Sequence, residues 1–243
     1  MPALPWELFA AAFVIGVSKT GFSGISLLGV YLLSQAYGAR DQSGLALPML
    51  IAADLLVYHG FRRHGEWKEV WRLLPPCLVG IAAGAWVLAC LDNHSARPWV
   101  GAIILSMAGL LPLRSRFPGM AAWLAHAPIF ALAMGFLGGL ATMLANAAGP
   151  IISIYLLARG MNKMDLLGTG ARFFLLINLL KVPFLAMQGL ILPGTLLVNL
   201  LALPAIVAGV WIGRRLVHRV PERAFAWMIT GFSLLGGLRL LWG

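Results

Sequence analysis

Nearly every stretch of this chain long enough to form a helix is apolar, and that restricts the fold more than any motif does. Six runs, 44–61, 67–91, 98–113, 166–187, 192–213 and 224–241, approach or reach the length of roughly 20 residues that a helix needs to cross a bilayer. No water is present in hydrocarbon to satisfy a free amide, so such runs must bond their own backbone groups as helices. With 60% hydrophobic and 11% charged residues and a mean hydropathy of +0.88, little is left for a water-soluble domain. The expected class is an all-α polytopic membrane protein.

Two further apolar runs, 4–37 and 126–160, are too long for this scheme. As single straight helices of about 35 residues they would measure about 50 Å against a hydrocarbon core of about 30 Å. Each is broken near its middle, by "SKTGFSGIS" (18–26) and by "ATMLANAAGP" (141–150). Each is therefore expected to be either a re-entrant hairpin that turns near the midplane or one broken, tilted crossing.

Charge separates these two topologies. The net charge of +10, from 18 Lys+Arg against 8 Asp+Glu, would suggest a nucleic-acid partner in a soluble chain, but here the basic residues crowd into short connections. The richest are 61–72 (Arg62, Arg63, Lys68, Arg72) and 214–223 (Arg214, Arg215, Arg219, Arg223). The positive-inside rule puts both in the cytoplasm. Single crossings throughout would place them on opposite sides, whereas two hairpins place them together, along with Arg114, Arg116, Arg159 and Lys163. The nearly base-free connections 90–98 and 188–193 then fall outside. The N-terminal "MPALPWELF" has no basic n-region and no small-residue cleavage site, so it reads as the start of the first membrane segment. Cys77 and Cys90 would lie about 20 Å apart on one helix, too far for a disulfide.

A hairpin plus three spans, read twice, gives two halves of opposite orientation: 1–116 (hairpin 4–37, spans 44–61, 67–91, 98–113) and 117–243 (hairpin 126–160, spans 166–187, 192–213, 224–241). Weak sequence matches at one offset support the repeat. "YLL" at Tyr31 recurs at Tyr155, Asp41 matches Asp165 and Asp54 matches Asn178, all 124 positions on, and Gly84 matches Gly209 at 125. Inverted repeats with interrupted helices are a transporter architecture, with the substrate held between the interruptions.

Intramembrane ionisable groups are functional candidates by default. Lys19, Arg172 and Lys181 are the deep cations and Asp54 the deep acid, so an excess of positive charge favours an anion. Arg239 lies near a segment end and reads as a snorkelling residue. Arg172 and Lys181, nine residues apart, point to different sides of their helix; the plainer reading of Arg172 is a contact with the cytoplasmic helix ends. Asn178 shares a face with Lys181. Helix N-termini at the two breaks would offer free N–H groups to an anion, with Gly21, Gly24 and Gly149 allowing close approach. Asn146 is either a ligand donor or a cap for the broken turn. Ser23, Thr20 and Thr169 complete the candidate set, although Thr20 and Thr169 are more simply packing or back-bonding hydroxyls. Asp54 either pairs with Lys19 or carries a coupled proton. The five histidines have no metal-ligand spacing, and neither metal nor cofactor is expected. Most tryptophans lie near expected interfaces as belt anchors.

The segments "GVSKTGFSG", "LPMLIAADLL" and "LANAAGPIISIYLLARGMNKMDLLGTGARFFLLINLLKVP" resemble the TauE/SafE family of sulfite and organosulfonate exporters of the bacterial inner membrane, over about 13–241. The resemblance implies two homologous halves and transport of a small, often sulfur-containing anion such as sulfite or sulfoacetate. It places Lys19, Asp54, Asn146, Pro150, Thr169, Asn178 and Lys181 at motif positions. One departure concerns the first tip: many members are glycine-rich there, where this chain reads "GFSGIS".

The expected function is alternating-access transport, in the export direction, of a small anion, with a coupled proton or cation, in a multi-pass inner-membrane protein. Two alternatives stand beside it. A non-transporting anchor or regulatory subunit would show no flux when reconstituted alone, and an anion channel would show flux that neither saturates nor counterflows. An intramembrane enzyme would need a nucleophile–base or carboxylate–histidine set at depth, and the chain has none. The sequence is compatible with a monomer or a homodimer.

Overall fold

The computed structural model describes residues 5–37, 41–90, 102, 104–106, 126–191 and 193–242. Among these the chain is helical with no strand: α1 (Trp6–Lys19), α2 (Ser26–Tyr37), α3 (Asp41–Phe61), α4 (Trp67–Cys90), α5 (Pro128–Ala145), α6 (Ala148–Ala158), α7 (Lys163–Met187), α8 (Pro193–Arg219) and α9 (Glu222–Trp242). Five described helices are long and apolar enough to cross a membrane: α3, α4, α5, α7 and α8. The all-helical polytopic expectation holds. The expected span 98–113 lies almost wholly outside the described residues, as do Arg114, Arg116 and the connection 91–98.

Both long apolar runs are broken where the sequence breaks them, and each pair of halves folds back on itself. In the first, α1 stops at Lys19, Gly21 takes a left-handed φ of +119°, and a 3-10 turn over Ser23–Ile25 leads into α2. A glycine suits that turn because an L side chain rarely adopts this φ. Gly29 of α2 lies against Ala11, Val14 and Ile15 of α1, the register of two antiparallel helices. In the second, α5 ends on Asn146, also left-handed (φ 51°), whose backbone N–H bonds to the Thr142 carbonyl while the Ala147 N–H bonds to that of Ala141. Asparagine is among the few non-glycine residues that take this conformation readily. Gly138 of α5 meets Ile152 of α6 across the hairpin.

Two helix pairs carry much of the remaining packing, α4 on α5 and α1 on α8. In both, small residues spaced four apart let the backbones touch, which is how helices associate where lipid supplies no hydrophobic drive. Gly80 and Gly84 of α4 abut Phe136, Leu140 and Met143, while Gly139 abuts the Cys77 carbonyl. On the other pair Gly209 abuts the Phe13 carbonyl and Gly16 the backbone of Ile206–Val210. Between these pairs α3 and α7 pack together through the middle of the molecule.

Two boundaries differ from expectation. The expected basic loop 214–223 is mostly helix, since α8 runs on to Arg219, and only Val220 and Pro221 separate it from α9. Arginine is a good helix former, and cations in a last turn complement the negative end of the helix dipole. Likewise Lys68 and Arg72 belong to the first turns of α4, so the α3–α4 loop is only 62–66.

That loop is clamped to the start of α7. Asn162 caps α7 by accepting from the Asp165 N–H at 2.9 Å. Asp165 and the Thr169 hydroxyl accept from the N–H groups of Gly65 (3.0 Å) and Glu66 (2.9 Å). The Arg172 guanidinium donates to the carbonyls of Arg62 (2.8 Å), His64 and Gly168 (2.9 Å) and lies over the Trp67 ring at 5.3 Å.

Candidate functional site

The two hairpin tips meet inside the molecule. Ser23 Oγ of the first lies 3.2 Å from Ser153 Oγ of the second, and a Cβ on Gly149 would come within 2.9 Å of the Ser23 Cβ. Beside this contact is a cavity of about 50 Å³. Its polar lining includes Ser18, Lys19, Ser23, Asn146, Ser153 and Asn178, with Phe174 and Leu167 among its apolar walls. At roughly 10–15 Å³ per water, about three to five waters or one small oxyanion would fit.

Lys19, the last residue of α1, reaches Asp54 of α3, 2.8 Å from Oδ1 and 3.0 Å from Oδ2, and lies over the Phe174 ring at 4.8 Å. The carboxylate is 1% exposed and accepts a second hydrogen bond, 2.6 Å, from Asn178 Nδ2 of α7. Asp54 and Asn178, the pair matched at an offset of 124, thus bond to each other where α3 crosses α7. With its amide nitrogen on Asp54, Asn178 keeps its carbonyl oxygen as its remaining polar atom at the cavity.

Lys181, also 1% exposed, sits behind the second tip. Its ammonium donates to the Thr142 carbonyl (2.9 Å), the Thr142 hydroxyl (3.3 Å) and Asn146 Oδ1 (2.6 Å). It caps the C-terminal end of α5 with positive charge, a favourable place for a cation. Because an ammonium only donates, Asn146 must turn its oxygen toward Lys181, which leaves its amide NH₂ as a donor for the cavity. Asn146 is therefore both the cap of the broken helix and a cavity residue. Ala148 and Gly149, the first two residues of α6, also line the cavity, and N–H groups in a first turn have no partner within their own helix.

The other candidates sit elsewhere. Arg172 is engaged in the α3–α4 clamp, and Thr169 with it, its hydroxyl also 3.8 Å from Met161 Sδ. Thr20 back-bonds to the Val17 carbonyl at 2.7 Å and packs under Gly213. Gly24 lies against Phe232 of α9. With Arg172 away, two lysines and one aspartate leave one net positive charge around the cavity, less than the sequence count suggested.

Two features escaped sequence reading. Ser153 lies four residues after Gly149, so α6 periodicity puts both on one face, a signal that was available. Glu69 makes Asp54 not the only buried acid. It is 1% exposed in the first turn of α4 and accepts from Arg72 (2.7 Å), Arg159 (2.7 Å) and the Tyr155 hydroxyl (2.6 Å), tying α4 to the end of α6. It lies near a segment end among arginines, where composition alone does not separate a buried acid from a solvated one.

Neither a curated protein nor a solved structure matches the chain. A family model described as Sulfite exporter TauE/SafE matches residues 8–240, nearly the whole length. The chain thus belongs to the TauE/SafE family, a family of transporters, and is a multi-pass membrane protein.

Proposed function

We propose that this protein is a secondary transporter that carries a small, sulfur-containing anion such as sulfite, sulfoacetate or another organosulfonate across the bacterial inner membrane, in the direction of export. The observation that carries this reading is the meeting of the two hairpin tips around a cavity with one net positive charge and convergent donors. Lys19 attracts the anion, and the amide of Asn146, the Ser23 and Ser153 hydroxyls and the first N–H groups of α6 orient it. Lys181 holds Asn146, and Asp54 fixes Lys19 while Asn178 fixes Asp54. Oriented dipoles at a broken helix are worth more in such a site than in water, because the low dielectric leaves them unscreened.

Alternating access between halves 1–116 and 117–243 is the proposed mechanism. Several geometric echoes at offsets of 124 to 126 support an inverted repeat. Gly44 abuts the Leu190 carbonyl as Gly168 abuts the His64 carbonyl, and Gly65 and Gly189 both have positive φ, +93° and +70°. The α4–α5 and α1–α8 pairs are likewise counterparts under this scheme. The cavity wall runs from the tips to Leu156, Leu166 and Leu167, toward the end where α6 stops and α7 starts. That supports a conformation leaning open toward the basic, cytoplasmic side.

Counterflow of labelled sulfite in proteoliposomes tests the proposal, with sulfoacetate, taurine and a dicarboxylate as competitors. Saturable counterflow that falls at least tenfold in Asn146→Gly is expected. Absence of flux for every anion, or full flux in that variant, would reject it.

A further inference from the structure

Where α8 passes α3 near its C-terminal end, the structure carries a second and much larger depression, of about 580 Å³, on the outer face of the molecule. Its floor is apolar and open, with Leu55 51%, Val207 45% and Trp211 54% exposed. Its end is basic, formed by Arg214, Arg215, His59 and His218. From here an apolar furrow continues along α8 past Pro204 to Leu200.

The arginines are held rather than waving. Arg215 stacks on Trp211 with its guanidinium carbon 3.4 Å from the ring centroid, and Arg214 lies over Phe61 at 5.6 Å. Gly60 makes room for Arg214, since a Cβ there would meet the guanidinium carbon at 2.7 Å. Among the described residues neither arginine pairs with a carboxylate. Stacking uses the faces of the two planes and leaves their N–H edges, five donors each, without an acceptor among the described residues. A phosphate matches such a paired fork. A free anion would have no use for the furrow, which follows α8 for about 22 Å from Arg215 to Leu200, longer than the roughly 15 Å of hydrocarbon in one leaflet.

We propose that this depression is a binding site for an anionic phospholipid, the phosphate seated between Arg214 and Arg215 and an acyl chain laid along Val207, Trp211 and Leu200. The site lies outside the cavity at the hairpin tips and does not depend on what is transported.

The test is native mass spectrometry of the detergent-purified full chain titrated with dioleoylphosphatidylglycerol, dioleoylphosphatidylcholine or inorganic phosphate. Wild-type protein is expected to retain one phosphatidylglycerol at least tenfold more tightly than phosphatidylcholine, with phosphate failing to displace it. Equal retention of the two lipids, or displacement by millimolar phosphate, would overturn the proposal without any variant being needed. Each interfacial arginine removed should weaken retention about fivefold, so Arg214→Gln/Arg215→Gln together should lose roughly 25-fold. Arg63→Gln, exposed and outside the depression, should change nothing. Gly60→Leu should produce the Arg214 loss without removing any charge. Wild-type retention in the double variant would equally overturn the proposal.

Discussion

Replacing Lys19 alone should do more harm than replacing it together with its partner. The Lys19–Asp54 pair is 2.8 Å apart, with the carboxylate 1% exposed and the lysine side chain 11% exposed. At an effective dielectric of about 20 the gross attraction is about 6 kcal/mol, much of it offset by desolvation of both ions. Lys19→Met leaves Asp54 buried and charged with only the Asn178 amide, near the low end of the 3–5 kcal/mol typical for a broken buried pair, so about 3 kcal/mol. Asp54→Asn leaves Lys19 beside the cavity, where water can reach it, so about 2 kcal/mol. The double variant removes both charges, retains an amide for Asn178 and should lose only about 2 kcal/mol, which makes the coupling about 3 kcal/mol. At roughly 2–4 °C per kcal/mol for a chain of this size, Lys19→Met alone should melt about 10 °C lower. Reversible unfolding in mixed micelles, followed by tryptophan fluorescence, measures the full cycle. A double variant destabilised by the sum of the singles, about 5 kcal/mol, would refute the pair as the link between α1 and α3.

Other expectations are more local. Glu69→Ala removes the buried acceptor shared by Arg72, Arg159 and the Tyr155 hydroxyl and should destabilise by about 3 kcal/mol, read in the same unfolding assay. Gly139→Leu drives a side chain into the Cys77 carbonyl, and Gly209→Leu does the same at Phe13; each should lose about 3 kcal/mol or fail to accumulate as monodisperse protein on size exclusion. Asn146→Ala imposes a left-handed φ on an ordinary side chain, about 1–2 kcal/mol, whereas Asn146→Gly should keep the helix break and lose only the amide. In both variants the buried Lys181 ammonium loses its Asn146 acceptor, at about 1–2 kcal/mol, so Asn146→Gly should melt a few degrees below wild type but above Asn146→Ala, and should lose anion-induced stabilisation.

The fold was legible wherever one physical constraint dominated. Hydrocarbon forces helices, and a 35-residue apolar run with glycine, asparagine and lysine in its centre had nowhere to go but into a break, so both tips were found. Asp54, Asn178, Lys19 and Lys181 announced themselves because charge and amide groups at membrane depth are rarely idle. What could not be read was partner choice. Nothing in "LLGTGARFF" says that Thr169 and Arg172 serve the α3–α4 loop and not the cavity, since both uses need a buried polar side chain on the same helix. The extension of α8 through Arg214 and Arg215 was hidden for a related reason: arginine is an adequate helix former, so basic composition marks the membrane boundary without marking the end of the helix.

The charges at the tips also constrain what the site can accept. The breaks bring two helix C-termini and two N-termini together, and their dipole ends, about half a charge each, nearly cancel. Formal charge then decides, and Lys19, Lys181 and Asp54 sum to +1. A monoanion brings the proposed site to neutrality. A dianion overshoots by one, in surroundings where an uncompensated charge is strongly disfavoured, unless a proton arrives with it. The group placed to take that proton is Asp54, since it touches Lys19 directly and could exchange an ion pair for a hydrogen bond. Binding of a dicarboxylate or a dianionic sulfonate should therefore take up one proton per molecule, and binding of a monoanionic sulfonate none. Calorimetry of one ligand in buffers of different ionisation enthalpy separates the cases. A dianion that binds with no proton uptake, or a monoanion that takes one up, would show that the charge of the site differs from +1 and that another group takes part.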